Sequence, residues 1–193
     1  IEYDVNEPYN MEIELLTREE VRDLTIENRL LHDSMSVRYI TNRKITHELV
    51  RHRPASWAQE STRFCDYGGE LNIIEPSYFG IGSHVDGKDT NAMYDVWFST
   101  MQEIEKNYKR LRNLNAQPQQ AAQILPNSTK AEICMTARMG EWIHFFNMRA
   151  DKPADPQMKE LIIPLLQECI KNDPDIFEDL SWRLEDNKEF LKA

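Results

Sequence analysis

An α+β fold is what this 193-residue chain predicts, because two different periodicities of apolar residues occur in it. Met11 to Leu16 and Ser34 to Ile40 alternate apolar and polar side chains, the period-two pattern of half-buried strands. Thr90 to Leu111 and Gln157 to Lys171 instead repeat apolar residues at steps of three and four, as amphipathic helices do. The length fits one domain, 1–193, with no linker, internal repeat or low-complexity tract to divide it.

Each element has a local reason. Thr17 and Glu20, in Thr-Arg-Glu-Glu, form a capping-box signature for a helix running into Ile26 and on towards Leu31. In the strand that follows, Met35, Val37 and Tyr39 alternate with Ser36 and Arg38. Lys44 to Arg51 reads as a helix that Pro54 ends. Asp66 to Lys88 carries most of the glycines, with Pro76 and only short apolar stretches, and so predicts a loop or short strands. The stripe Met93, Val96, Trp97, Met101, Ile104, Tyr108 and Leu111 calls for core or subunit-interface packing rather than cofactor contact. Gln117 to Ala122 predicts a short helix ended near Pro126. Ser128 or Thr129 caps an expected long helix from Lys130 to Arg149, with Ile133, Ala137, Trp142, Phe145 and Phe146 inward. After Pro153 and Pro156 break the chain, Met158, Leu161, Ile162, Leu165, Leu166 and Cys169 line one face of the last predicted helix.

Composition excludes several classes of function. A net charge of −10 argues against general nucleic-acid binding, which needs clustered cations across a surface, so any phosphate site must be a local basic pocket. Cys65, Cys134 and Cys169 are far apart and odd in number, which supports neither a disulfide framework nor a zinc site and makes a reducing, cytoplasmic setting the simpler expectation. No apolar run approaches the length of a membrane span, and no metal or membrane partner is expected. Because the chain opens at Ile1 rather than methionine, a further N-terminal stretch is expected.

The most informative segment is Arg51-His52-Arg53-Pro54-Ala55-Ser56-Trp57-Ala58-Gln59-Glu60-Ser61-Thr62-Arg63-Phe64. Three arginines concentrated on an acidic chain suit bidentate capture of a phosphate or an acidic heterocycle. On composition alone, pairing with Glu48 and Glu60 explains them equally well. The spacing decides: Arg51-His52-Arg53 followed by seven residues and Ser61 resembles the signature of flavin-dependent thymidylate synthases. His47-Glu48-Leu49-Val50 before it, Ile124-Leu125-Pro126-Asn127-Ser128-Thr129-Lys130, Glu141 to Arg149 and Pro156-Gln157-Met158 follow that family's wording in order. The similarity spans residues 32 to 166.

The resemblance implies a twisted, mostly antiparallel sheet flanked by long helices. It also implies an enzyme that transfers a methylene group from methylenetetrahydrofolate to dUMP and reduces it through FAD with NADPH, giving dTMP. Arg149 matches the arginine that favours ionisation of the pyrimidine and is the implied catalytic residue. Glu48, Arg51, Gln59, Glu60, Ser61, Thr62 and Arg63 match the dUMP-binding stretch, with Ser61 read as a hydrogen-bond donor to ligand rather than a nucleophile. Arg51, His52, Arg53, Gln59, Arg138 and His144 match or fall at positions near FAD; a core histidine is an equally good reading of His144. The implied assembly is a homotetramer with active sites shared between subunits.

Four positions depart from the family's wording. Ala122 stands where an arginine touches the nucleotide, Arg138 and Gly140 replace an asparagine and an arginine at the flavin, and Leu31 replaces a glutamate. Each loss of a charged hydrogen bond costs about 1.5 to 3 kcal/mol. Compensation by new contacts such as Arg138, another C5 alkylation such as hydroxymethylation, and a catalytically silent nucleotide-binding paralogue all stay open on sequence grounds.

Overall fold

The computed structural model describes residues 16–79 and 90–191. Its central element is a strand where the sequence predicts a helix. Lys130–Arg138 buries Ala131, Ile133, Met135 and Ala137 in strict alternation and forms β3. Only Met139–Arg149 is helical, as α6. The expected helix over 130–149 is thereby corrected. A strand inserted between two others buries every second residue, and Lys130 to Arg138 has that period as well as a helical one.

Two strands flank β3. β1 (Ser34–Asn42) pairs antiparallel along its whole length, from Ser34 opposite Arg138 to Asn42 opposite Lys130. β2 (Ser56–Gln59) pairs on the other side, with Ser56 opposite Thr136 and Gln59 opposite Ile133. The order β1-β3-β2 makes a three-stranded antiparallel sheet, so the α+β expectation holds. β2 lies inside the basic motif and is not anticipated by the sequence reading. The strand expected at Met11 to Leu16 lies, but for Leu16, outside the described residues.

The N-terminal helix is two helices. Thr17 and Glu20 form the capping box of α1 (Arg18–Arg22), and Thr25 then caps a second helix, α2 (Ile26–His32). Arg29 of α2 is buried and binds Asp173 at 2.8 Å and Asp33 at 3.4 Å, which fastens α2 to the end of α7 (Pro156–Asn172). The core lies between the sheet, α6 and α7. Trp142, Phe145, Phe146 and Phe177 are fully buried and meet edge to face or tilted, with centroids 5.3 to 6.0 Å apart. Trp142 donates its indole N–H to the Met35 carbonyl at 3.1 Å, satisfying its one polar atom. The predicted α7 face, Met158, Ile162, Leu166 and Cys169, is buried against this cluster.

A smaller cluster of Tyr67, Leu71, Tyr108 and Ala121 forms under α4 (Thr90–Asn113), which is followed by α5 (Pro118–Ala121) and a 3₁₀ turn at Ala122–Ile124. Residues 66 to 79 run as a loop with one bridge, Ile73 to Thr129, as the glycines suggest, while 80–88 fall outside the described residues. The chain closes with α8 (Pro174–Phe177) and α9 (Ser181–Glu185).

Candidate functional site

α3 (Arg43–Leu49) is the element on which the candidate residues converge. Asn42 caps it, its side chain accepting the Ile45 N–H at 2.9 Å, and Val50 and the sharp turn after it launch the basic motif. α3 ends earlier than Arg51, at Leu49, so Arg51, His52 and Arg53 lie in the turn, where the Arg53–Pro54 peptide bond is cis. Lys44 pins the start of α3 to the N-cap of α7 by pairing with Asp155, and Tyr78 donates to the same carboxylate. Burial opposes ionisation of Asp155, but hydrogen bonds from Lys44 and Tyr78 outweigh it and hold the carboxyl below its ordinary range.

Arg149, from the last turn of α6, reaches the other end of α3. Its Nη2 donates to the Glu48 carbonyl at 2.9 Å, and its Nη1 lies 3.7 Å from the Glu48 carboxylate. The same carbonyl accepts the Arg51 backbone N–H at 3.2 Å. One oxygen thus joins residue 149 to the root of the motif 98 positions earlier. The Nε of Arg149 is buried and makes no hydrogen bond. Gln59, in β2, reaches α3 from the sheet side by donating to the Thr46 hydroxyl at 2.9 Å.

His52 is buried beneath this junction, with its ring 5.3 Å from that of His144 and 5.0 Å from Phe145. Burial first, then the neighbouring His144 and Arg149, lowers its pKa, so the imidazole is held neutral; Glu141 opposes this only in part. Its Nε2 has no hydrogen-bond partner. Arg51 and Arg53 are exposed on either side and make no ion pair among the described residues, so their charges remain available to an anion. His144 is exposed, so it is not a core histidine of this chain.

The rest of the motif continues past β2. Glu60 donates its backbone N–H to the Glu132 carbonyl at 2.9 Å, and its carboxylate accepts the Glu132 N–H at 3.3 Å and the Cys65 thiol at 3.1 Å. It therefore fastens the turn, at a residue where the family resemblance implies a dUMP contact. In that turn the Ser61 carbonyl accepts the Phe64 and Cys65 N–H groups, and the Ser61 hydroxyl accepts that of Arg63 at 3.3 Å. Thr62 is half-buried, and Arg63 stands over the Phe64 ring, itself 82% exposed.

Arg138 stands at the end of β3 opposite Ser34, two residues beyond Thr136, which faces Ser56 of β2. It borders the region of a polar cleft of about 890 Å³ whose lining includes Arg29, His32, Ser34, Met139 and Asp173. Gly140 two residues on packs closely: a Cβ there would lie 3.1 Å from the Leu30 carbonyl, so a side chain requires α2 or α6 to give by a few tenths of an ångström. Leu31 is 55% exposed. Among the described residues no group of three His, Cys, Asp or Glu side chains could hold a metal ion, and no helix is long and apolar enough to cross a membrane.

Comparison with known proteins points to one family. Residues 19–175 match the family model described as thymidylate synthase complementing protein. The flavin-dependent thymidylate synthase of Corynebacterium efficiens is 31% identical over 159 residues, covering 78% of this chain and 63% of that protein. The one from Pyrococcus furiosus is 33% identical over 141 residues, covering 73% and 55%, and the one from Mycobacteroides abscessus is 30% identical over 158, covering 78% and 63%. The chain therefore spans somewhat over half the length of these curated relatives.

Proposed function

This chain belongs to the thymidylate synthase complementing protein family, and on that premise we propose that its site binds dUMP and alkylates C5 of the uracil ring. In this reading methylenetetrahydrofolate supplies the carbon, FAD and NADPH the reducing equivalents, and dTMP is the product. The observation that supports it best is the Glu48 carbonyl shared by the Arg149 guanidinium and the Arg51 N–H, which ties the two halves of the family's wording into one place.

Carbon 5 of uracil is a poor nucleophile, so the protein's task is to stabilise negative charge as it develops on the ring. Arg149 suits that task because a guanidinium stays charged and cannot take a proton; Glu48 engages one edge of it, and its buried Nε makes no hydrogen bond within the chain. Arg51, Arg53 and Arg63 hold phosphate, and Ser61 and Thr62 donate hydrogen bonds. Neutral His52 adds a polar ring atom without adding charge, and together with Arg51, Arg53 and exposed His144 it offers a fit for FAD. When bound, FAD would supply the hydride that completes the methyl group. The assembly in this reading is a homotetramer in which neighbouring chains complete each site.

Gly140 and Leu31 favour a second reading. Gly140 supplies no guanidinium, in a place where a Cβ would lie 3.1 Å from the Leu30 carbonyl, and Leu31 supplies no carboxylate. A C5 hydroxymethylation, which needs no hydride, fits those changes. Tritium release from C5-labelled dUMP tests both enzymatic readings at once. Release with a flavin absorption band and a methylated product supports the first, release with a hydroxymethyl product supports the second, and no release sinks both.

A further inference from the structure

The turn that follows Arg149 is held by side chains from the far end of the sequence. A helix leaves its last carbonyls without partners of its own, and Ala150, the C-cap of α6, is fully buried, so its carbonyl has no route to water. Asn187 supplies the missing donor: its Nδ2 meets the Ala150 carbonyl at 3.0 Å and the Arg183 carbonyl at 2.9 Å, and the residue is only 2% exposed. Arg183, on α9, donates Nη1 to the Asp151 carboxylate at 2.7 Å and Nη2 to the Asn147 side-chain oxygen at 3.4 Å. One guanidinium thus bridges the last turn of α6 and the residue beyond its cap, where the carbonyl end of the helix favours a cation. Trp182 backs it, with the ring centroid 4.0 Å away.

A third contact closes the turn from the side of α7. Lys159 is buried, donates Nζ to the Lys152 carbonyl at 3.2 Å and lies over the Phe190 ring at 5.7 Å. Arg149 is therefore fixed at both ends. Its guanidinium is bonded to the Glu48 carbonyl of α3, and its backbone runs directly into the residues that Asn187 and Arg183 hold. Arg183 and Asn187 bond to residues 147, 150 and 151 rather than to Arg149 itself. Both lie beyond residue 175, where the match to the family ends, so the family's wording assigns them no role.

We propose that Asn187 and Arg183 are positioning residues: the segment from Ser181 to Phe190 clamps the end of α6 and so sets where the Arg149 guanidinium lies against α3. A group that acts by placing charge against a developing anion is sensitive to its position, and a displacement of about 1 Å can lower a rate on the order of a hundredfold. The effect on turnover rests on the function proposed above; the clamp itself rests on the contacts of Asn187 and Arg183.

Two readouts test it in Asn187→Ala and Arg183→Gln, and the second variant carries the test if the first does not fold. Nitrogen-15 spectra of the full chain without ligand follow the Arg149 Nε–H, assigned by its loss in Arg149→Lys. In each variant this buried proton should exchange with water about tenfold faster, while the Trp142 indole N–H, bonded to the Met35 carbonyl in the same core, keeps its rate. Tritium release from C5-labelled dUMP, counted per dUMP site titrated by equilibrium dialysis, should fall about tenfold with the dUMP Kd nearly unchanged, because an interaction realised only in the transition state is lost. Arg183→Lys, which keeps the cation beside Asp151, should return most of that loss. An Arg149 Nε–H that exchanges as in the wild type, an indole N–H that speeds up equally, or unchanged turnover per site overturns the proposal. A wild type that releases no tritium, with the Arg149 proton still loosened in both variants, would leave the clamp standing and remove the dUMP chemistry instead.

Discussion

Arg149 and His52 carry the account at the scale of single side chains, and each makes its own prediction. Arg149→Ala should abolish turnover of dUMP while leaving the oligomer intact by size-exclusion chromatography; near-normal turnover would show that its role is wrong. The stability cost should stay near 1.5 kcal/mol, as one hydrogen bond to the Glu48 carbonyl is lost. His52 gives a pH dependence. Its pKa is lowered in the fold, so below the unfolded value of about 6.5 the unfolded chain binds the extra proton more readily. Stability should therefore be full above that pH and fall as the pH drops through about 6.5, and His52→Gln should flatten that slope in thermal melts. At this scale much of the candidate site is legible from the sequence, because Arg-His-Arg, its spacing to Ser61 and Arg149 carry their chemistry in their residue types. What is not legible is which groups the fold itself uses: Glu60 fastens a turn, and Gly140 packs close to the Leu30 carbonyl.

Elements were legible where their periodicity has one solution. Met158, Ile162 and Leu166 admit only a helix, and α7 is one. Lys130–Arg138 has two, since Ile133 and Ala137 also sit four residues apart, and the uninterrupted run into Trp142 and Phe146 hides the boundary. Sheet pairing decides it, because β3 alone can hydrogen-bond both β1 and β2. The same junction sets a prediction at this scale. Trp142→Ala empties a fully buried site and strands the Met35 carbonyl, so it should cost about 3 to 5 kcal/mol in denaturant titration. Gly140→Arg should lower stability by about 1 to 3 kcal/mol, because a side chain there drives α6 from the Leu30 carbonyl; unchanged stability would show that α2 yields freely and that packing does not explain the glycine.

At the scale of the whole molecule, the acidic chain carries a basic turn that α6 closes from one side and β2 from the other. Of the apolar stripe expected on α4, Met101 and Tyr108 are buried in this chain's own core, while Val96 is 68% exposed. The central claim is that Arg149 and the Arg51 to Arg63 segment serve one pyrimidine nucleotide. Diffraction from crystals of the protein soaked with dUMP and FAD tests it most directly. The account predicts the uracil ring within hydrogen-bond reach of the Arg149 guanidinium and the phosphate on Arg51, Arg53 or Arg63 of the same or a neighbouring copy; dUMP bound elsewhere, with these groups facing separate solvent surfaces, would contradict it.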